Sequence, residues 1–147
     1  MRTVLFVLIM GCAPPAAAEP ATDLHIPLIR LHTGEDGLTH FADDAIALET
    51  KDFSPPMPPF AMSTRFPVTD IAFATFPPGW FGDWHPAPKR QYVLILKGRL
   101  EIETGDGDTR QFGAGSAFLV EDIDGQGHRT RVVSDAPAVI AMVPNPR

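Results

Sequence analysis

The sequence is nearly free of cysteine, since Cys12 is the only one among 147 residues. Cys12 lies in an N-terminal segment that we expect to be removed, so the mature protein should have neither disulfide bonds nor thiolate chemistry. Positive charge is also scarce, because 12 Lys and Arg against 18 Asp and Glu give a formal net charge of -6. This balance argues against a general binder of nucleic acid or anionic membranes, whose affinity comes from neutralised phosphates.

Long hydrophobic runs are missing as well. The apolar run from Val4 to Met10 is too short for a bilayer span, which needs about 20 residues. Arg2 precedes this run and a small-residue Ala16–Ala18 end follows it, which is typical of a secretory signal cleaved after Ala18. Residues 1–18 are therefore predicted to be a signal peptide, and the protein to be periplasmic or secreted. Alternatively, the lipobox-like sequence IMGC predicts a lipoprotein anchored at Cys12.

Helical periodicity and internal repeats are absent, whereas 16 prolines and 12 glycines separate short apolar runs. Strand-like alternation is clearest in QYVLILKGRLEIET, where Leu100 and Ile102 alternate with Glu101 and Glu103. Further strand-like runs are DIAFATF, AFLV, HRTRVV and AVIAMV, and GDGD predicts a tight hairpin. Short strands with frequent turns predict an all-β sandwich or barrel.

The predicted barrel occupies residues 69–147 and follows an N-terminal arm with a proline-rich connector, residues 19–68. The arm contains two strand-like segments, Ile26–Leu31 and Ala45–Leu48, and the connector Phe53–Phe60 is too rich in proline for a central strand. Because unpaired edge strands seek partners, we expect a homodimer formed through this arm.

The order of glycines and histidines from about residue 71 to 143 resembles the cupin superfamily of small jelly-roll β-barrels. In the first motif of that family, glycine, histidine, histidine, glutamate and glycine follow one another at fixed spacing. Here those positions hold, in order, Gly79, His85, Ala87, Gln91 and Gly98. The spacing is kept, but two of the three ligand positions have changed.

The second cupin motif is matched less closely. Gly115 fits its first position, Glu121 stands in the proline position and His128 is the candidate histidine, while Val132 replaces asparagine. The segments WHPAPKRQ, EDIDGQGH and TGEDGLTHF look like a subgroup of single-domain bacterial cupins without an assigned activity. The resemblance implies a jelly-roll barrel that holds a divalent metal inside or at its mouth and tends to dimerise, and it implies no single reaction.

Strand geometry predicts which side chains share the interior. His85 and Ala87 point the same way, so a second imidazole must come from another strand, and His128 can supply it. Gln91 offers a neutral amide oxygen. The predicted metal ligands are therefore His85, Gln91 and His128, a set without negative charge that should hold Fe, Mn, Zn or Ni only loosely.

Glu121 is the candidate catalytic residue. It ends one predicted strand and His128 begins the next, so the hairpin should bring them together. Its carboxylate could complete a two-histidine, one-carboxylate metal site or serve as a general base over a bound substrate. Alternatively, Glu121, Asp122 and Asp124 form a solvated acidic loop.

The pocket is predicted to be lined by Trp84, Ala87, Val93 and Thr130. The alternative for Trp84 is a place in the core or in a dimer face, and for each histidine a hydrogen-bonded place inside the barrel. Three arginines alternate along the chain with Gln91 and His128 and should therefore face away from the site: Arg90, Arg129 and Arg131. They are expected to pair with Glu101 or Glu103. Alternatively, one of them binds a carboxylate substrate.

Three functions remain open from the sequence. The first is an exported cupin that binds a small organic molecule, with or without a weakly held metal, and transforms it. The second is a binding module without catalysis, and the third is a structural dimer whose pocket is vestigial.

Overall fold

A computed structural model describes residues 24–146 of the chain, so the predicted signal peptide and Cys12 lie outside the described residues. Within that range the secondary structure is entirely β, which confirms the predicted class. The first six of its strands are β1 (His25–Thr33), β2 (Thr39–Ala47), β3 (Glu49–Lys51), β4 (Phe60–Met62), β5 (Ala72–Phe76) and β6 (Phe81–His85). The next six are β7 (Gln91–Lys97), β8 (Arg99–Glu103), β9 (Thr109–Gly113), β10 (Ala117–Glu121), β11 (His128–Val132) and β12 (Ala138–Pro144).

The strands form two large sheets and a short ribbon. One sheet has six strands in the order β2-β1-β10-β7-β12-β5, and the other has four in the order β6-β11-β8-β9. The ribbon pairs β3 with β4 on either side of the proline-rich connector. The core lies between the two large sheets, because its buried residues come from both: Leu31, Ile95, Phe118, Val120 and Ile140 from the first, and Leu100, Ile102 and Val132 from the second.

The alternation seen in the sequence decides which residues enter this core. Leu100 and Ile102 are 3% and 6% exposed, whereas the intervening Glu101 is only partly buried. Period-two alternation on a strand with one covered face gives this result. The tight turn that precedes β8 depends on Gly98, whose φ of +77° favours glycine.

The N-terminal arm is part of the larger sheet. Strand β1 pairs antiparallel with β2 on one side and parallel with β10 on the other. Leu31 of β1 is 1% exposed and belongs to the core cluster. The arm therefore completes the barrel wall, and the outer edges of the six-stranded sheet are those of β2 and β5.

The arm also contacts the loop that leads into β11. The Thr33 hydroxyl donates a 2.9 Å hydrogen bond to the carbonyl oxygen of Asp124, and the Thr39 hydroxyl donates one of 3.1 Å to the Asp122 carboxylate. These bonds fix the end of β10 and the following loop. The site described next is built on that loop.

Candidate functional site

Two histidines meet where β6 ends and β11 begins. His85 and His128 are directly opposite in the antiparallel pairing of these strands. Their ring centroids are 4.8 Å apart and the ring planes are inclined by 50°. His128 is 8% exposed, whereas His85 is exposed, so the pair lies at an open end of the barrel.

Gly127 makes this close approach possible. Its φ is +77°, and a Cβ atom built on it would lie 2.0 Å from the carbonyl oxygen of His85. Only glycine tolerates both conditions, because any side chain would meet the backbone of β6 and strain its own backbone. The glycine before His128 therefore sets the distance between the two imidazoles.

His128 is oriented by a buried carboxylate. Its Nδ1 atom donates a 2.7 Å hydrogen bond to Oδ2 of Asp122, a residue with no exposed surface. The Thr39 hydroxyl donates to the same oxygen, while Oδ1 of Asp122 has no hydrogen-bond partner within residues 24–146. With its proton on Nδ1, neutral His128 has a lone pair on Nε2.

His85 is oriented in the same sense by the backbone. Its Nδ1 atom lies 2.6 Å from the carbonyl oxygen of Asp83, which can only accept a hydrogen bond. Neutral His85 therefore also has its lone pair on Nε2. A partner on Nδ1 that fixes the tautomer and leaves Nε2 for a ligand is the usual arrangement of metal-binding histidines.

The histidines open into a cavity of about 360 Å³ between the sheets. Its walls are mostly apolar, and its lining residues with a polar side-chain group are Trp80, His85, Gln91, His128 and Thr130. Gln91 is 8% exposed and lines the cavity together with the two histidines. An amide in that position is available to a bound molecule or to water.

The predicted pocket residues divide into two groups. Ala87, Val93 and Thr130 line the cavity, as the alternation predicts. Trp84 does not belong to the cavity lining, because it precedes His85 in β6 and so has the opposite parity. The guanidinium of Arg129 lies 5.0 Å from its ring centroid, outside the barrel.

Glu121 is also outside the cavity. It follows Val120 in β10, so its side chain leaves the opposite face of the sheet and accepts hydrogen bonds from Arg30 and Arg90. Burial raises the pKa of Glu121, but the bonds and charges of the two arginines outweigh this and hold the pKa below its usual value. The structure therefore does not bring this carboxylate to the histidines, and its arginine partners disfavour the protonation that a general base needs.

The three arginines predicted to face away from the site all have acidic partners. Arg129 pairs with Glu103 and Arg131 with Glu101, as predicted. Arg90 pairs instead with Glu121 and also donates to Asn145. None of the three lines the cavity with the histidines.

Asp122, Thr39 and Gly127 are the site residues that sequence reasoning missed. Asp122 was assigned to a solvated loop, yet it is fully buried. Strand parity carried a usable signal, because Asp122 has the same parity as the buried Phe118 and Val120 of β10. The role of Thr39 depends on the pairing of the arm with the barrel, which no local pattern indicates.

The fit of a metal ion to this site is partial. Within residues 24–146 there is no cluster of three or more His, Cys, Asp and Glu side chains arranged to hold a metal. Two imidazoles with available Nε2 atoms and the amide oxygen of Gln91 suit a first-row divalent ion, whose remaining positions would need water or a ligand. These residues fit a loosely held metal and do not form a closed structural site.

Comparison with known proteins gives a family match. The model of the cupin domain family Cupin_2 matches residues 72–144, and together with the all-β structure it confirms the predicted fold class. Comparison with curated proteins finds no match.

Three solved structures similar to the chain are cupin domains. One, from Bordetella pertussis Tohama I, has 25% identity and a TM-score of 0.43, with 52% of this chain and 80% of that chain covered. Another, from an XRE family transcriptional regulator of Enterobacter cloacae, has 21% identity and a TM-score of 0.39, with coverages of 53% and 82%. The cupin domain of Schizosaccharomyces pombe Cnp3 has 12% identity and a TM-score of 0.42, with coverages of 83% and 84%.

Proposed function

Since residues 72–144 of this chain belong to the cupin domain family, we propose that the protein is an exported cupin that binds a small organic molecule in its barrel cavity. The observation that carries the proposal is the convergence of the Gln91 amide and the two histidines on a cavity whose walls are mostly apolar. Binding sites commonly combine an apolar wall with a few polar groups that orient the ligand.

We further propose that a divalent transition metal is held weakly at the same place by His85, His128 and Gln91. The support is the hydrogen bonding of both Nδ1 atoms, which leaves both Nε2 atoms available. A bound ion would supply Lewis acidity to an oxygen of the ligand. The protein's own residues orient the imidazoles, through Asp122 and the Asp83 carbonyl, and exclude water with the apolar wall.

The alternative function is a ligand-binding or structural dimeric cupin without metal. The observation that favours it is the lack of a third strong ligand among residues 24–146. Glu121, predicted to be catalytic, is held by Arg30 and Arg90 and gives no support to a reaction in the cavity. The ligand proposal applies to both versions of the function.

Elemental analysis and native mass spectrometry of untagged protein test both proposals. We expect a substoichiometric transition metal that a chelator removes while the fold remains, because the apolar core supplies the stability. Protein that contains a small organic molecule and no metal would favour the alternative. Protein that has neither, and takes up neither on addition, would contradict the proposed function.

Export and dimerisation are separate proposals. No helix of residues 24–146 is long and apolar enough to cross a bilayer. Intact-mass measurement of exported protein should give an N-terminus at Glu19, whereas a lipidated Cys12 would replace this with the lipoprotein alternative. Light scattering should show a dimer at micromolar concentration, and a strict monomer would contradict the dimer.

A further inference from the structure

The cavity lining contains no Asp, Glu, Lys or Arg side chain. The nearest charges are already satisfied: Asp122 binds His128 from behind, and Glu121 binds two arginines on the outer face. A charged ligand would therefore lose its hydration without gaining a counter-charge, which is strongly unfavourable.

The polar groups of the cavity favour a ligand that donates hydrogen bonds. The Nε2 atoms of neutral His85 and His128 are acceptors, because both Nδ1 atoms donate to fixed oxygens. The amide of Gln91 and the hydroxyl of Thr130 can each donate or accept. A ligand with hydroxyl groups satisfies this set, whereas a ligand with acceptors alone leaves the lone pairs of the imidazoles unpaired.

The cavity lining includes three aromatic side chains. The rings of Phe76 and Trp80 are 4.4 Å apart at their centroids, and both line the cavity together with Phe118. Aromatic side chains favour stacked or edge-to-face contact with another ring. The volume of about 360 Å³ is near the lower end of the range for ligand pockets, so one or two rings are the appropriate size.

We propose that the cavity, in protein without a bound metal ion, binds an uncharged hydroxylated aromatic compound, of the phenol or benzenediol class. Its hydroxyl groups lie at the open end against His85 and His128, and its ring lies against Phe76, Trp80 and Phe118. This inference rests on the proposed function and names the ligand class of the same site.

The test compares three small probes by NMR-detected titration of the purified protein: resorcinol, its dimethyl ether and benzoate. The ether keeps the ring and the oxygens but removes the donors, and benzoate keeps the ring but adds a charge. We expect resorcinol to bind at least about tenfold more tightly than either, which corresponds to about 1.4 kcal/mol. The largest chemical-shift changes should fall on Gln91, His128 and Thr130.

Variants locate the binding in the cavity. Gln91→Leu and Thr130→Val remove polar groups from the lining with little change of size. Each should lower the affinity for resorcinol several-fold. Gln111→Leu is the matched control, because Gln111 is exposed on β9. Equal binding by the variants and the control would place the ligand elsewhere and overturn the assignment.

The outcomes separate the ligand class from the proposed function. Benzoate bound as tightly as resorcinol, at the same residues, overturns the uncharged class while ligand binding in the cavity stands. Equal binding of the dimethyl ether overturns the donor requirement. If none of the three probes binds, the aromatic ligand class is overturned, whereas binding of a small molecule in the cavity is decided by the native mass spectrometry described above.

Discussion

The Nδ1 atom of His128 donates a 2.7 Å hydrogen bond to Oδ2 of Asp122, and this carboxylate has no exposed surface. The same oxygen accepts the hydroxyl of Thr39 from the N-terminal arm. The orientation of one interior histidine thus depends on three parts of the chain: β2, the end of β10 and the start of β11.

Asp122→Asn should weaken ligation by His128, because the amide presents a weaker acceptor to Nδ1 or reverses the tautomer. We expect metal affinity to fall about 10- to 100-fold, as for other partners of metal-binding histidines, and stability to fall by about 1–3 kcal/mol. Metal titration and urea unfolding measure the two effects. Asp124→Asn is the control, since Asp124 is exposed. Unchanged metal affinity in Asp122→Asn would remove the positioning role.

Gly127→Ala should be one of the most damaging single-methyl changes in the chain. The added carbon would lie 2.0 Å from the His85 carbonyl oxygen, and φ is +77°. Gly107→Ala is a matched control, because its φ is +88° and nothing lies within 4 Å of the added atom. We expect Gly107→Ala to cost about 1 kcal/mol from backbone strain and Gly127→Ala to exceed about 4 kcal/mol. Equal unfolding midpoints would show that the close approach of β11 to β6 is absent.

The strands of the barrel could be predicted from the sequence because alternation is a local property. Segments such as QYVLILK and AVIAMV lie in β7 and β12, as predicted. The meeting of His85 and His128 could also be anticipated, because the spacing between the motif glycines is kept. Both results need only strand parity and the known order of strands.

Strand parity explains why two predicted site residues lie outside the cavity. The hairpin between β10 and β11 predicts Glu121 near His128, and its place before His85 predicts Trp84 in the pocket, yet neighbours in a strand face opposite sides. The burial of Asp122 was not predicted, because an acidic run is typical of a solvated loop. The pairing of β1 with β10, which brings Thr39 to Asp122, depends on contacts distant in sequence.

Glu121→Gln distinguishes an outer ion pair from a role in the cavity. The pKa of Glu121 is held low by Arg30 and Arg90, so the ionised form stabilises the fold above its unfolded pKa. We expect the variant to be less stable than wild type above the unfolded pKa of Glu121. Its stability should also fall less than that of wild type as pH falls toward the folded pKa of Glu121. Ligand and metal binding should persist. Folded Glu121→Gln that has lost ligand binding would restore the predicted role of this carboxylate.

His40 should make stability fall as pH rises above 6.5. Hydrogen bonds that His40 donates to Asp36, and then to Asp106, raise the pKa of His40 above 6.5, so its contribution is full below that unfolded value. It is lost as pH rises through the higher folded pKa, because deprotonation removes the charge between the two carboxylates. Urea midpoints from pH 6 to 9 should fall more in wild type than in His40→Gln. Parallel pH profiles would contradict this linkage.

The central claim for the site is that His85 and His128 together hold a metal ion, and metal-dependent thermal shift tests it most directly. Untagged, chelator-treated protein is melted with Zn(II), Ni(II), Mn(II) and, under anaerobic conditions, Fe(II). Wild type is compared with His85→Ala and His128→Ala, and with His25→Ala, which changes an exposed histidine of β1 outside the cavity lining. We predict a small rise in Tm for wild type and His25→Ala and a clearly smaller rise for the two site variants. Equal rises in all four proteins would contradict the metal site and leave the cavity as a metal-free binding site.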